Sequence, residues 1–508
     1  MTGGDQRVAP VGDGLWRRVW ASMLRRPVIW RGCAMAAAAF LALLITVTAI
    51  WPSDLLLRQL QSWHIFHYVL GAKYFDELGY WDTYEGVVLA DAEDGGPFTR
   101  LQGARDLRTY YWKPMPRILE QARARGIRQR FSAARWAEFK GDLVAMQRLR
   151  SPRRWAGPLL DRGFNPSPAW VGPHRWLLNA VDIQNKRTLF FLGNVQLVFY
   201  FLTFAVLWWA FGPRTTLLIS LWYLLYFGSW GILGGGYFSC DWLFCTLCAV
   251  GLYRKGHPVA AGPPLALAAM TRGFPGMLAF HAALAWIGRA ARRRRPRRRH
   301  TLFLVSLGLC CLVLVGLGST TSHGPRGWLE WKDKISLHSQ KHQYTANIIG
   351  FRNVMVHDYR RWNWNPSLGS QERDHEPYSG QNVALGLGLG LLVLLAMLGR
   401  GDHDGQLLGI AAAFFTVVLS RYYFALGGLL FTWTGQDLSK QKRFYAALWL
   451  WALLAGGYMQ ILLVSSLTRQ LYYYFNVGLT VYFLELVASF LVRDLGALRG
   501  AGRGINRK

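Results

Sequence analysis

Apolar stretches long enough to cross a lipid bilayer recur along nearly the whole chain, and they limit its possible folds more than any other feature. The first stretch, from Cys33 to Pro52, contains no charged side chain and has the length of roughly 20 residues that a membrane-spanning helix needs. Soluble domains of this chain length bury shorter apolar segments that alternate with polar ones. The sequence therefore predicts a membrane protein.

Further apolar segments follow the first one at short intervals. They are Thr188–Phe211, Thr215–Leu233, Trp242–Tyr253, Val259–Ile287, Thr301–Gly318, Val383–Leu398, Leu407–Thr432, Phe444–Leu463 and Tyr472–Val492. Helices satisfy their own backbone hydrogen bonds within lipid. The predicted fold class is all-α: a polytopic membrane protein with about 10–12 membrane helical segments, some broken or hairpin-shaped, and two long extracytoplasmic loops bearing amphipathic helices.

The basic residues of the chain indicate its topology. A net charge of +30 alone would suit a nucleic-acid partner, but the densest arginine run, 289–299, lies between two apolar segments. Retention of basic segments in the cytoplasm explains this placement better, so no nucleic-acid partner is expected, and the expected localisation is the inner (plasma) membrane. The predicted regions are a cytoplasmic N-terminus (1–32), a first transmembrane helix (33–52), a long extracytoplasmic loop (53–187), a transmembrane bundle (188–318) with a basic cytoplasmic loop (289–300), a second extracytoplasmic loop (319–382), a C-terminal bundle (383–492) and a basic cytoplasmic tail (493–508).

Two of the apolar segments must be helical hairpins if all basic segments are to stay on one side. In the segment Val259–Ile287, residues Thr271 to Pro275 place glycine and proline beside Arg272, which predicts a turn there. In Leu407–Thr432 the turn is predicted near Arg421–Tyr423. An arginine at membrane depth is costly unless it faces water, a partner or an anionic ligand, and lipid phosphate is the ligand that we expect for Arg272.

Both long loops contain an amphipathic helical pattern. In residues 132–146, Trp136, Phe139 and Met146 recur at helical spacing among polar residues, which predicts a helix that lies on the membrane. The second loop has Trp328 and Trp331 at similar spacing. His338 and His342 follow one turn apart, and Lys332, Lys334, Lys341 and Arg352, which lie around them, are expected mostly to contact lipid headgroups. We expect the two loops to cap one shared cavity.

The segment from Trp63 to Glu85 is the densest group of polar and aromatic side chains in the chain. Sugar transfer needs a base for the acceptor hydroxyl, cations for a donor phosphate and aromatic faces for sugar rings. The candidate catalytic residues are His64, Asp76, Glu77 and Asp82, and the candidate substrate-binding residues are His67, Tyr68, Lys73, Arg272, His338, His342 and Tyr422. For any single acid, the alternative is a solvated loop position.

The histidine spacings give little support for a metal centre. His64 and His67 lie three residues apart, which is a weak pattern on its own. His338 is followed by Ser339, so the glutamate of the zinc-protease motif is missing. No cofactor is expected to be required, although a divalent cation stays open. The six cysteines all lie in or beside apolar segments and are interpreted as packing residues.

Several segments resemble the GT-C superfamily of integral-membrane glycosyltransferases, and within it glycosyltransferase family 87. The single first span is followed by a long loop that begins with residues 66–75, and Asn165–Trp170 precedes the second span. The segment that ends in Thr271–Pro275 is similar to the family's short helix ending in a cation and a proline, and Ser420–Phe424 is similar to its late tyrosine-pair motif. The resemblance covers most of the chain in layout.

The resemblance implies an activity and its substrates. Enzymes of this kind transfer a hexosyl or pentosyl group from a polyprenyl-phosphate-linked donor to a glycan or lipid acceptor outside the cytoplasm, with inversion by a single displacement and often without a metal. The family pattern implies an aspartate four residues before Tyr68, where this chain has His64. The base is then either His64 or one of Asp76, Glu77 and Asp82, of which Glu77 and Asp76 rank first.

Two other classes of function compete with this hypothesis. A transporter or flippase for a lipid-linked or anionic substrate would use the same midplane arginine, but it usually shows inverted repeats, and none is visible in the sequence. A non-catalytic membrane scaffold would use the two loops to bind protein partners. Normal activity after substitution of every acid in the loops would favour the scaffold.

Overall fold

The computed structural model describes residues 62–149, 155–226, 236–342, 348–356, 380–434 and 468–505. In these ranges the chain is mostly helical, and its strands form two short antiparallel pairs. The prediction of a helical fold is confirmed for this part of the chain. The predicted spans Cys33–Pro52 and Phe444–Leu463 lie outside the described residues.

Three helical segments in the described ranges are long and apolar enough to cross a membrane. They are Lys186–Phe211, Arg298–Gly318 and Tyr473–Val492. Each one coincides with a segment that the sequence predicts to span the bilayer. The described part of the molecule therefore has three helices that could span a membrane, and the larger number of membrane segments stays a prediction.

The first long loop folds around its own core, and we call residues 62–183 the loop domain. Aromatic side chains such as Tyr74, Tyr84 and Trp155 are fully buried in that core. Its helices are α1 (Ser62–Ile65), α2 (Gly71–Lys73), α3 (Phe75–Leu78), α4 (Thr83–Glu93), α5 (Met115–Ala124), α6 (Ala133–Gln147), α7 (Ala156–Leu159) and α8 (Pro168–Asn179). Strands β1 (Gly103–Arg105) and β2 (Trp112–Pro114) form a hairpin in which Gly103 pairs with Pro114.

The predicted amphipathic helix of the first loop is α6. Ser132 caps it by accepting a hydrogen bond of 3.2 Å from the Arg135 backbone N–H. Its apolar residues Trp136, Phe139 and Met146 are buried in the core of the loop domain. The prediction that this helix lies on the membrane is therefore wrong, because its apolar face already packs against protein.

The apolar half of the chain follows the loop domain. Its helices are α9 (Lys186–Asn194), α10 (Gln196–Phe211), α11 (Pro213–Leu225), α12 (Asp241–Arg254), α13 (Pro258–Arg272), α14 (Phe280–Ala291), α15 (Arg298–Gly318), α16 (Arg326–His342), α17 (Phe351–Val356), α18 (Gly380–Met397), α19 (Asp402–Thr416), α20 (Phe431–Thr434) and α21 (Thr468–Ile505). Helix α13 packs along α12 and α15. At Gly262 a side chain would collide with the α15 backbone, because a Cβ there would lie 2.6 Å from the Leu307 nitrogen.

Both predicted breaks occur where the sequence places them. Helix α13 ends at Arg272, and Gly273 then adopts φ of +72°, a left-handed conformation that favours glycine. A 3₁₀ segment, Phe274–Ala279, leads into α14. In the second case α19 ends at Thr416, and strand β4 (Leu419–Ser420), paired with β3 (Ile348–Ile349), precedes a 3₁₀ segment that starts at Arg421.

The second loop contacts the loop domain through α16. Lys334 of this helix is fully buried, and its Nζ donates a hydrogen bond of 3.4 Å to the Leu107 carbonyl oxygen. The same Nζ lies 4.9 Å from the ring centroid of Trp81 and 4.8 Å from that of Tyr110. For Lys334 the predicted contact with lipid headgroups is wrong, because the side chain inserts into protein.

Candidate functional site

Arg272 is the centre of a polar and aromatic group at the end of α13. Its Nη2 donates a hydrogen bond of 3.0 Å to the Tyr68 hydroxyl, and its Cζ lies 5.5 Å and 5.6 Å from the ring centroids of Tyr68 and Tyr423. Its Nε is buried and has no hydrogen-bond partner. Among the described residues, no carboxylate oxygen lies within 4.0 Å of a guanidinium nitrogen of Arg272, the distance that defines an ion pair. The guanidinium thus keeps donor capacity for a ligand.

Aromatic rings surround this guanidinium. His64 stacks on Tyr68 with ring centroids 3.9 Å apart and an interplanar angle of 11°. Tyr68 in turn meets Trp170 edge-on at 5.4 Å, and Tyr422 lies 4.3 Å from Tyr423. Flat apolar faces beside a cation suit a ligand that combines a ring with an anionic group.

One acid belongs to this group, and it was missed by the sequence interpretation. Asp241 is the first residue of α12, and it is linked to the group through Trp170, whose ring meets Tyr68 edge-on. Its Oδ2 accepts a hydrogen bond of 3.1 Å from the Trp170 Nε1, and its Oδ1 accepts one of 2.8 Å from the Trp242 backbone N–H. The signal that could have found it is an acid directly at the start of an apolar segment.

We call His64, Tyr68, Asp241, Arg272, Tyr422 and Tyr423 the Arg272 site. They come from the start of the loop domain, from the ends of α12 and α13, and from the break after α19. None of the six is fully buried, although protein surrounds each of them. Tyr68 lies in a π-helical turn, Phe66–Leu70, a local geometry that is frequent at functional sites. The Arg272 site therefore joins a cation, an acid and aromatic rings from four separate segments of the chain.

The two loop-domain residues of the Arg272 site are uncharged near neutral pH. Burial, together with the charges of Arg272 and His67, lowers the pKa of His64 to about 3. The His64 Nδ1 is buried without a partner. Burial raises the pKa of Tyr68 to about 12, even though Arg272 opposes this shift. His64 can therefore accept a proton or a hydrogen bond, but only as a weak base.

Two predicted catalytic acids form ion pairs in the loop domain. Glu77 accepts a hydrogen bond of 2.8 Å from the Arg135 Nε, while its other oxygen is buried without a partner. Asp82 is nearly fully buried and is ion-paired with Arg108 at 2.8 Å and Arg130 at 2.8 Å, with Arg125 at 3.4 Å. The structure joins these acids to arginines of the loop domain and not to the Arg272 site.

The third predicted acid, Asp76, connects the two loops. It is ion-paired with Arg175, and its Oδ1 accepts a hydrogen bond of 2.8 Å from the Ser322 backbone N–H. Burial alone would raise the pKa of Asp76, but the Ser322 hydrogen bonds and the Arg175 charge outweigh it and lower that pKa. A carboxylate held in this way serves the contact between the loops.

The other predicted binding residues lie in protein contacts. His67 is hydrogen-bonded through Nδ1 to the Trp63 carbonyl at 2.8 Å and through Nε2 to the Tyr84 hydroxyl at 2.6 Å. Lys73 is buried and ion-paired with Glu138 and Asp142. His338 Nδ1 lies 3.4 Å from the Tyr110 hydroxyl, and the His342 side chain lies outside the described part of the chain. His64, Tyr68, Arg272 and Tyr422 are thus the predicted residues that come together.

The described residues form no obvious metal site. Within them, no group of three or more histidine, cysteine, aspartate or glutamate side chains is arranged to hold a metal ion.

The buried Lys334 predicts a pH dependence of stability. Burial lowers the pKa of Lys334 from 10.5 to about 7, against the opposing charges of Asp161 and Asp106. Between these values the unfolded chain binds a proton that the folded chain lacks, so the free energy of unfolding should rise with pH from about 7 to 10.5. The expected change is on the order of a few kcal/mol.

The measurement is the thermal midpoint of unfolding in detergent at a series of pH values. Lys334→Met keeps an apolar side chain of similar length without the titrating amine. We expect the difference between the variant and the original chain to be largest at pH 7 and below and to shrink as the pH rises. A constant difference from pH 6 to 10 would contradict the shifted pKa.

Comparisons with known proteins give no relative for this chain. No protein-family model, curated protein or solved structure matches it significantly. The resemblance to glycosyltransferase family 87 therefore stays a prediction from the residues quoted above.

Proposed function

We propose that the chain is an inverting GT-C-type glycosyltransferase of the inner membrane. It transfers a hexosyl or pentosyl group from a polyprenyl-phosphate-linked donor to a glycan or lipid acceptor on the extracytoplasmic side. The observation that supports this proposal is the environment of Arg272, the last residue of an apolar helix. Its guanidinium lies among aromatic rings, and its Nε is buried without a hydrogen-bond partner. Such a cation fits the phosphate of a lipid whose tail lies along the apolar helices.

The reaction is a single displacement. The acceptor hydroxyl oxygen forms a bond to the anomeric carbon, while the bond from that carbon to the phosphate oxygen breaks and polyprenyl phosphate leaves. Arg272 stabilises the negative charge that grows on the leaving phosphate, assisted by the Tyr68 hydroxyl to which it is hydrogen-bonded. The rings of Tyr68, Tyr422 and Tyr423 contact the sugar and exclude water.

The proton of the acceptor hydroxyl goes to Asp241. This acid is the carboxylate of the Arg272 site, whereas Asp76, Glu77 and Asp82 are held by arginines elsewhere. His64 is a weaker candidate because its lowered pKa makes the neutral imidazole a poor proton acceptor. The hydrogen bonds from Trp170 and Trp242 fix the Asp241 carboxylate in position.

Transfer of a radiolabelled sugar tests the function directly. Membranes that overproduce the chain should move label from polyprenyl-phosphate sugars into a glycan or lipid fraction, and membranes with an empty vector should not. A series of donors with different sugars would identify the substrate. Absence of transfer with every donor, from membranes in which the folded chain is present, would contradict the proposal.

A lipid transporter is the second candidate, because a helix broken at Gly273 between apolar helices is also typical of transporters. A transporter would carry the lipid-linked sugar across liposomes and leave its glycosidic bond intact. Movement of intact donor without transfer would favour this alternative.

The topology carries a prediction of its own. Reporter fusions after Trp155 and after Arg361 should be extracytoplasmic, and a fusion after Arg295 should be cytoplasmic, because arginine clusters resist translocation. Phosphatase and fluorescent-protein reporters at the same three positions give opposite signals and control for expression. An extracytoplasmic signal at Arg295 would remove both predicted membrane hairpins.

A further inference from the structure

The short segment before α12, residues 236–240, lies against the start of the loop domain. Gly236 is buried, and the atoms nearest to the position of an added Cβ there are the His64 Nδ1 at 3.3 Å and the Gln196 Oε1 at 3.4 Å. Two polar atoms from separate helices thus border one point beside the glycine. A methyl group at that point would stand where a polar atom of a ligand can bond to both of them.

The His64 Nδ1 is the unsatisfied atom of this pair. It is buried and has no hydrogen-bond partner, so it does not bond the Gln196 Oε1 directly. A buried polar atom without a partner is uncommon in a folded protein and points to a group that binds there. Because burial lowers the pKa of His64 to about 3, its imidazole is neutral near neutral pH. An uncharged group with a hydrogen-bonding oxygen therefore suits this nitrogen better than an anion does.

The Gln196 side chain is fixed by the same segment. Gln196 is fully buried as the first residue of α10, and its Oε1 accepts a hydrogen bond from the Ser239 hydroxyl. The Cys240 thiol donates to the Gln196 carbonyl oxygen at 3.7 Å. An amide oxygen has two lone pairs, so the Oε1 can accept a second hydrogen bond. This acceptor is thus held in place before a ligand arrives.

The backbone of the segment is held in an uncommon conformation. Phe238 has φ of +47°, which is rare for a residue with a bulky side chain. Its ring meets those of His174 at 4.6 Å and Phe199 at 5.3 Å, both edge-on. Backbone strain of this kind concentrates at functional sites, where surrounding contacts stabilise it. The strained residue lies between Gly236 and Asp241, the proposed base.

The point beside Gly236 is one aromatic stack away from the residue that contacts Arg272. The His64 ring lies 3.9 Å from the ring of Tyr68, and the Arg272 Cζ lies 5.5 Å from the same Tyr68 ring. The Tyr68 hydroxyl accepts a hydrogen bond from Arg272. His64 and Arg272 are therefore close enough for one sugar phosphate to reach both.

We propose that the His64 Nδ1 and the Gln196 Oε1 together bind one hydroxyl group of the donor sugar beside Gly236, an inference that rests on the proposed function. The hydroxyl accepts a hydrogen bond from His64 and donates its own to Gln196, so that one group satisfies both atoms. His64 then recognises the sugar and does not transfer the proton. The two atoms distinguish a sugar-linked lipid phosphate from the bare lipid phosphate, which Arg272 alone does not.

Binding of lipid phosphates to the full-length chain in detergent tests this inference without any need for transfer. The probes are polyprenyl phosphate, polyprenyl-phosphate mannose and polyprenyl-phosphate arabinose, in competition with a fluorescent polyprenyl phosphate. We expect at least one sugar-linked probe to bind about tenfold more tightly than the bare phosphate. Gly236→Ala, which places a methyl group beside both polar atoms, and His64→Phe, which keeps a ring to stack on Tyr68, should each remove this gain. Both variants should bind polyprenyl phosphate as the original chain does.

Two controls separate recognition from folding. Gly251→Ala adds the same methyl group against apolar neighbours, 3.1 Å from the Ala210 Cβ, and should leave the gain intact. Neither Gly236 nor Gly251 has a positive φ, so alanine causes no backbone strain at either position. Arg272→Ala should weaken the binding of all three probes by a similar factor, because they share the phosphate.

Three results would overturn the inference. They are equal affinity of the three probes for the original chain, a gain that either Gly236→Ala or His64→Phe keeps, and a loss in Gly251→Ala as large as in Gly236→Ala. Equal affinities would assign the space beside Gly236 to an ordered water. Sugar-dependent binding without sugar transfer would contradict only the proposed function, whereas transfer with a gain that survives in both variants would contradict only this inference.

Discussion

Arg272→Ala should lower sugar transfer by about 10²- to 10³-fold, which is the usual effect of removing one preorganised donor from a developing negative charge. The substitution also leaves the Tyr68 hydroxyl without the Arg272 Nη2 that donates to it. Because the guanidinium has no described carboxylate within ion-pair distance, its loss leaves no unpaired acid in contact. We therefore expect a large loss of activity with a small change in thermal stability.

The conservative variant separates binding from structure. Arg272→Lys keeps a point charge but loses the planar fork that binds two phosphate oxygens, so its donor affinity should lie between those of the original chain and the alanine variant. Donor affinity is measured by competition with a polyprenyl phosphate. If both variants bound the donor as tightly as the original chain, Arg272 would have a structural role only.

Asp241→Asn should lower the rate of transfer by about 10²- to 10⁴-fold, because the amide keeps the shape of the side chain and loses its basicity. The asparagine oxygen can still accept the hydrogen bond from the Trp170 Nε1 or from the Trp242 backbone N–H. Donor affinity and expression should therefore stay close to those of the original chain. A variant with full activity would exclude Asp241 as the base.

Substitutions of Glu77 and His64 test two of the catalytic residues that the sequence predicts. Glu77→Gln, which the sequence ranks first, should act mainly on stability, because Glu77 is ion-paired with Arg135. His64→Ala should weaken donor binding through the lost stack on Tyr68. A pH profile does not separate His64 from a carboxylate, since the pKa of His64 is lowered to about 3. If Glu77→Gln alone abolished turnover, Glu77 would be the base, as the sequence predicts, and Asp241 would be a binding residue.

Much of the fold follows from local chemistry in the sequence. The first break is predicted by the glycine and proline beside Arg272, and the second, near Arg421–Tyr423, by the need to keep all basic segments on one side of the membrane. The structure has a break at Gly273 and another before Arg421. The environment of α6 was not predictable in the same way. Its apolar stripe is equally suited to lipid and to protein, and only the surrounding loop domain decides between them.

The site was predictable in part, for a similar reason. Arg272, Tyr68 and His64 stand out locally, as a cation in an apolar segment or as aromatic residues at helical spacing. The roles of the acids depend on partners that are distant in the sequence, since Glu77 pairs with an arginine 58 residues away and Asp76 with one 99 residues away. A single sequence does not show which acid is held by a partner and which faces a cleft.

The polar joint at Asp76 has a mechanical consequence. Arg175 is ion-paired with Asp76 and also donates a hydrogen bond of 3.0 Å to the Thr320 carbonyl, and Ser322 donates to the same carboxylate. Helix α15 ends at Gly318, directly before these residues. A membrane helix changes its tilt when the thickness of the surrounding bilayer changes. If α15 crosses the bilayer as its length and composition allow, a tilt of α15 would pull on Asp76 and so on the first helical turns of the loop domain, which would couple lipid thickness to the Arg272 site.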